Sequence, residues 1–195
     1  MTEYLFPVLY LVGFAAGAAI RACYAKKFKQ DRSAIFRREG LMVLVVASLW
    51  GITILLPFFY LFTDWLDFVD YRLPDWTGWC GAAIFGVALW LLWRSHADLG
   101  RNWSVAAEVR EEQNLVTSGV FKYMRHPMYS AHLLWGIAQA LLVHNWIAGV
   151  ASLAVFLPLY LLRVPREEKV MLNEFGDEYR EYMKRSGRVF PRFWS

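Results

Sequence analysis

Cysteine is nearly absent from this chain: two residues in 195, Cys23 and Cys80. They lie far apart, in or beside apolar segments, with no second Cys or His at ligand spacing, which excludes a disulfide framework and a zinc site. Both read as small buried hydrophobes. Charge is also scarce, at 19% of residues against 57% hydrophobic, with ten Trp among them. Mean hydropathy is positive, which soluble domains of this length seldom reach. No Lys or Arg occurs in the first twenty positions. A signal peptide needs a basic start, and further apolar segments follow this one, so it reads as retained.

What is present is a set of long uncharged runs. Residues 4 to 20, 41 to 63 and 79 to 93 hold no Lys, Arg, Asp or Glu. At about 1.5 Å per helical residue, each covers most or all of a hydrocarbon core about 30 Å thick. A fourth apolar region, Ala131 to Leu162, is broken only by "HNW" at 144 to 146, the polar tip of a helical hairpin. The first limb of this hairpin is short, so the pair is tilted or reaches the far interface through its tip. The expected fold is all-α: a polytopic integral membrane protein of one domain over 1–195. Three transmembrane helices fill 1–93; the hairpin and a C-terminal amphipathic helix fill 94–195, making five spans.

The 21 Lys and Arg divide unevenly: seven in 21 to 40, one in 64 to 78, five in 94 to 129, none in the hairpin tip and eight in 163 to 195. The positive-inside rule therefore places the N-terminus outside, and 21–40, 94–129 and the C-terminal tail in the cytoplasm. Asp64, Asp67, Asp70 and Asp75 line the opposite side. The net charge of +4 reflects this topology and an anionic leaflet, and gives nucleic-acid binding no support. No feature specifies an oligomeric state.

Two polar clusters flank the hairpin. "YMRHPMYS", Tyr123 to Ser130, stands immediately before it. Pro127 suits the first helical position and His126 the cap. Free amides at that helix start, with Arg125 beside them, would form a small anion site. The bland reading is a snorkelling Arg125, an ordinary cap and an interfacial Tyr129. After the hairpin comes "RVPREEKVMLNEFGDEYREYMKR". Arg163 and Glu167 are four apart and share a face if helix continues through Pro165. Glu168 is rotated off that face and reads as an exposed ion-pair partner. A hairpin returns its ends together, so Arg125, His126 and Tyr129 should face Arg163 and Glu167. The segment 94–122 is too long for a tight connector and reads as a lid or cofactor wall, with Glu108, Gln113 and Asn114 as polar contacts.

"LGRNWS", "LVTSGVFKYMRHPMYSA" and "REEKVMLNEFGDEYREYMKR", in that order around an apolar hairpin, resemble the isoprenylcysteine carboxyl methyltransferase family over roughly residues 94 to 193. The resemblance implies S-adenosylmethionine bound on the cytoplasmic side and a prenylated substrate whose cysteine carboxylate arrives from the bilayer. Family cofactor positions fall on Gln113, Asn114, Leu115, Val116, Phe121, His126, Pro127, Met128 and Tyr129. Phe121 stands where the family leads one to expect tyrosine, so a hydroxyl is lost while an aromatic wall for adenine remains. The family's substrate-side pair falls on Arg163 and Glu167. Methyl transfer to a carboxylate needs positioning more than a base, since that nucleophile is already ionised near neutral pH. A phospholipid N-methyltransferase, with Glu167 as base, stays open. So do a nicotinamide-dependent sterol or lipid reductase, disfavoured by the absence of extra basic residues suited to a 2′-phosphate, and a membrane scaffold.

Overall fold

The computed structural model describes residues 2–27, 40–100 and 114–193. Among these, regular structure is helical, with two isolated bridges in place of strands. The described residues hold five long helices: α1 (Thr2–Lys27), α2 (Leu41–Phe62), α3 (Asp75–Leu99), α4 (Pro127–Leu142) and α5 (Ala151–Arg185). Among the described residues, four segments are long and apolar enough to cross a membrane: Leu5–Lys27, Leu41–Phe62, Asp75–Leu99 and Trp146–Arg185. The expected fifth span, α4, has 16 residues, or roughly 24 Å of helix, short of a core about 30 Å thick.

These helices form where charge is missing, and their surfaces show why they need lipid. On α2, Leu41, Val45, Leu49, Ile52, Leu55, Phe59 and Phe62 are all exposed, an apolar stripe recurring every three or four residues. Trp65, Phe68, Trp76 and Trp79 are exposed around the loop between α2 and α3, as interfacial aromatics are. Cys23 and Cys80 are exposed too, because they sit on outward faces and not in the core as expected.

The interior is organised on α3 and α4. Tyr10, Phe85, Ala88, Leu92, Trp135, Ala138 and Leu142 pack there into one apolar cluster. Small residues permit the approach: a Cβ on Gly81 would lie 2.8 Å from that of Leu141, and one on Gly17 2.5 Å from the Trp135 ring. Buried polar groups are tied in. Gln139 donates to the carbonyls of Thr53 (3.0 Å) and Ala148 (2.7 Å) and accepts from the Tyr10 hydroxyl (3.0 Å).

Between α4 and α5, Asn145 is fully buried. It accepts from the amides of Ile147 (3.0 Å) and Ala148 (2.8 Å), and donates to the Leu66 carbonyl and Asp70 (both 2.7 Å). The loop after α2 thus covers the turn, which passes through a π-helical segment, Trp146–Val150, into α5. Helix α5 continues through Pro158 and Pro165 and breaks at Gly176, where φ is 51°, a conformation glycine tolerates without strain.

Candidate active site

The site is assembled at the charged end of the α4–α5 pair. Helix α4 begins at Pro127 with His126 as its cap residue, because proline loses nothing where an amide would go unused. One turn on, the Tyr129 hydroxyl donates to Glu167 at 2.6 Å. Glu167 also pairs with Arg163 at 3.3 Å along the same face of α5, and its second oxygen lies 3.7 Å from His126 Nδ1. Of the five residues the sequence expected to meet, His126, Tyr129, Arg163 and Glu167 do, since α5 stays helical through Pro165, whereas Arg125 turns to Glu168 instead.

Glu168 corrects the sequence reading. It is buried, not exposed. It accepts from Arg125 Nε (3.2 Å), and Arg188 reaches it through Nε (3.1 Å) and Nη2 (2.5 Å). His126 Nε2 lies 3.3 Å away. The uncharged part of α5 ends at Leu162, so Glu168 lies beyond the apolar span. Burial alone would raise its carboxyl, but hydrogen bonds and charge from His126 and Arg188 outweigh this and hold it down at about 2. The missed partner was Arg188, delivered by a tail that folds back with no periodic signal in the sequence.

That tail also alters the expected anion site. The Arg125 amide donates to the Gly187 carbonyl (2.8 Å) and the His126 amide to that of Arg188 (2.9 Å). Pro127 has no amide proton, and the Tyr129 and Ser130 amides bond the His126 carbonyl. Among the described residues, only the Met128 amide of this turn lacks a partner. Arg125 is likewise committed, bonding the carbonyls of Met183 (3.2 Å) and Ser186 (2.5 Å) as well as Glu168. It braces the site and does not stand open to an anion.

Leading into α4, Asn114 is exposed, while Leu115 and Val116 are half-buried in chain without regular structure. The backbone groups of 114–117 make no backbone–backbone hydrogen bond among the described residues. Asp98 accepts from the Val120 amide at 2.9 Å and anchors the next turn. Phe121 is buried there, its carbonyl accepting from Tyr182 at 2.6 Å. Pro127 is buried and Met128 half-buried. Gln113, Glu108 and the rest of 101–113 lie outside the described residues.

Residues 79–173, from the middle of α3 across α4 and into the charged part of α5, match the family model described as isoprenylcysteine carboxyl methyltransferase (ICMT) family. Through this region the chain is similar to that family. Curated relatives agree. Protein-S-isoprenylcysteine O-methyltransferase B of Arabidopsis thaliana is 35% identical over 88 residues, 44% of this chain and 45% of the relative. The Homo sapiens protein-S-isoprenylcysteine O-methyltransferase is 30% identical over 138 residues, 66% of this chain and 49% of the relative. That of Schizosaccharomyces pombe is 30% identical over 87 residues, 45% of this chain and 37% of the relative. The chain thus spans about half or less of the length of these isoprenylcysteine methyltransferases. The four residues that meet across α4 and α5 all lie inside the family match.

Proposed function

We propose that the chain transfers a methyl group from S-adenosylmethionine to the C-terminal carboxylate of an isoprenylated cysteine or similar lipid acid. The observation that carries the reading is the Arg163–Glu167–Tyr129 chain at 3.3 and 2.6 Å, standing beside His126 within the region matched to methyltransferases. When bound, S-adenosylmethionine supplies an electrophilic methyl on a sulfonium. The backbone of 114–117, which makes no backbone–backbone hydrogen bond among the described residues, and the buried Phe121 fit such a ligand, offering hydrogen bonds and an aromatic wall; His126, Pro127, Met128 and Tyr129 would complete its surroundings.

Arg163 is the acceptor-side group. Its planar fork suits a carboxylate, and it is partly exposed, at 22%, so an acceptor can reach it. Glu167 orients Arg163, and Tyr129 fixes Glu167 in turn. No base is required, because a carboxylate is ionised near neutral pH. Opposite charges cancel as the methyl moves, so a site shielded from water favours the step.

The charge distribution supports a cytoplasmic site, with the N-terminus and the Asp64–Asp75 loop outside. The four long apolar segments support a bilayer setting, and α4 would make the fifth, shallower crossing, reaching the far side through the Asn145 turn.

In detergent, the protein is expected to bind S-adenosylhomocysteine, read as heat release or a higher melting temperature. Binding of NADPH without any response to S-adenosylhomocysteine would replace the methyltransferase reading with the reductase one. An amine methyltransferase would show its largest loss of activity in Glu167→Gln and little in Arg163→Ala.

A further inference from the structure

Arg21 lies in helix α1, outside the family match, and by sequence alone was one of seven basic residues assigned to a loop. The fold brings it inward. At Gly17 α1 sits directly on the Trp135 ring of α4; one turn further, Arg21 Nη1 lies 3.2 Å from His132 Nε2. A guanidinium only donates, so this ring nitrogen accepts, and His132 is held neutral with its other nitrogen protonated.

His132 stands one turn beyond Tyr129 on α4, and Arg163 one turn before Glu167 on α5. Because Tyr129 and Glu167 are bonded, Arg163 and His132 lie at a similar depth, which brings the Arg21 fork held by His132 to the level of Arg163. Trp50 of α2 closes the far side of His132, ring centroids 4.8 Å apart. Arg21 is exposed and pairs with no carboxylate among the described residues. Glu167 already offsets the charge of Arg163, and an acceptor carboxylate reaching both forks would supply the anion that Arg21 does not find among the described residues.

We infer that Arg21 and Arg163 together grip the acceptor carboxylate, with His132 fixing the Arg21 fork, so that α1 supplies a specificity residue for the acid. This rests on the carboxylate-acceptor reading above. It makes the preference for an acid over a neutral headgroup depend on a helix that the family match does not include.

The test compares an N-acetylated S-prenylcysteine with its carboxamide, binding to detergent-solubilised protein loaded with S-adenosylhomocysteine. Arg21→Gln is expected to weaken the acid roughly ten- to a hundredfold, the loss of a charge-assisted contact, and to leave the carboxamide and S-adenosylhomocysteine affinities unchanged. Equal losses for acid and carboxamide, or an unchanged acid affinity while the wild-type protein still methylates it, would overturn the inference alone. A wild-type protein with no preference for the acid would overturn it together with the proposed function. If Arg21→Gln does not assemble, Arg21→Lys, which keeps the charge and loses the fork, should weaken the acid severalfold and spare the carboxamide. A wild-type acid affinity there would also refute it.

Discussion

Glu168→Gln isolates the charge at the centre of the bracing network while keeping side-chain shape. The Arg125 side chain is 9% exposed and that of Glu168 6%, so removing the negative charge strands a nearly buried guanidinium, a change that costs about 3–5 kcal/mol where both partners are buried. The Arg188 side chain is 45% exposed, so its share is that of a surface pair, under about 1 kcal/mol. His126 and Arg188 add to this by lowering the carboxyl from its ordinary 4.5 to about 2, a shift that corresponds to roughly 3 kcal/mol shared between them. For a chain of this length that is roughly 6–12 °C in melting temperature, read by thermal unfolding in detergent near neutral pH, with Arg188→Ala shifting it by only a few degrees. The pH dependence has a definite sign. The folded carboxyl is held low, so its contribution is complete above about 4.5 and is lost as pH falls toward about 2. The gap between wild type and Glu168→Gln should close across that window. An unchanged melting temperature in Glu168→Gln, or Arg188→Ala costing as much, would refute this account of the network.

Arg163→Ala should abolish methyl transfer to a prenylcysteine acid, by roughly 10²-fold or more, while leaving S-adenosylhomocysteine binding intact; Arg163→Lys should fail nearly as badly, because an ammonium lacks the planar fork. His126→Ala should weaken S-adenosylhomocysteine binding, checked by calorimetry, and a wild-type affinity would remove His126 from the cofactor surroundings. With the exposed Cys23 and Cys80 replaced by serine, cysteine at Asp67 should label from outside intact cells and cysteine at Lys184 should not; the reverse would move the site to the other face.

The helices of this chain were legible because lipid-facing surface needs no polar residues, so uncharged runs mark them directly. Helix α4 was legible at its start, where Pro127 has a positional meaning, but not as a span, since the apolar run of 131–143 does not by itself fix how deep the helix reaches. Within the site, Arg163, Glu167 and Tyr129 could be paired from helix periodicity plus the return of a hairpin. Glu168 could not. Its inward direction is shared with Val164, which is fully buried, and that apolar neighbour four residues earlier was the available signal. Its partners Arg125 and Arg188 come from before α4 and after α5, and pairing across such separations depends on a backbone path through 186–192 that composition does not encode. Arg21 was misassigned for a related reason: α1 runs on to Lys27, past the point where charge appears, because its last turns lean on α3 and α4 instead of ending at the interface.

The buried bonds of Gln139 and Asn145 carry an order of assembly. Every partner they find on α1, α2 and the following loop, from Tyr10 to Asp70, precedes them in the chain, so a ribosome delivers those partners first. Helix α4, too short to cross comfortably and carrying a side-chain amide in its last turn, is a poor candidate to enter a bilayer unaided. It is expected to enter late, against a surface of waiting acceptors. The exceptions come after: the Ala148 carbonyl, 2.7 Å from Gln139, and the Ile147 and Ala148 amides held by Asn145. A nascent chain stalled just past Leu142 should therefore be held loosely, and the arrival of the next few residues should lock it.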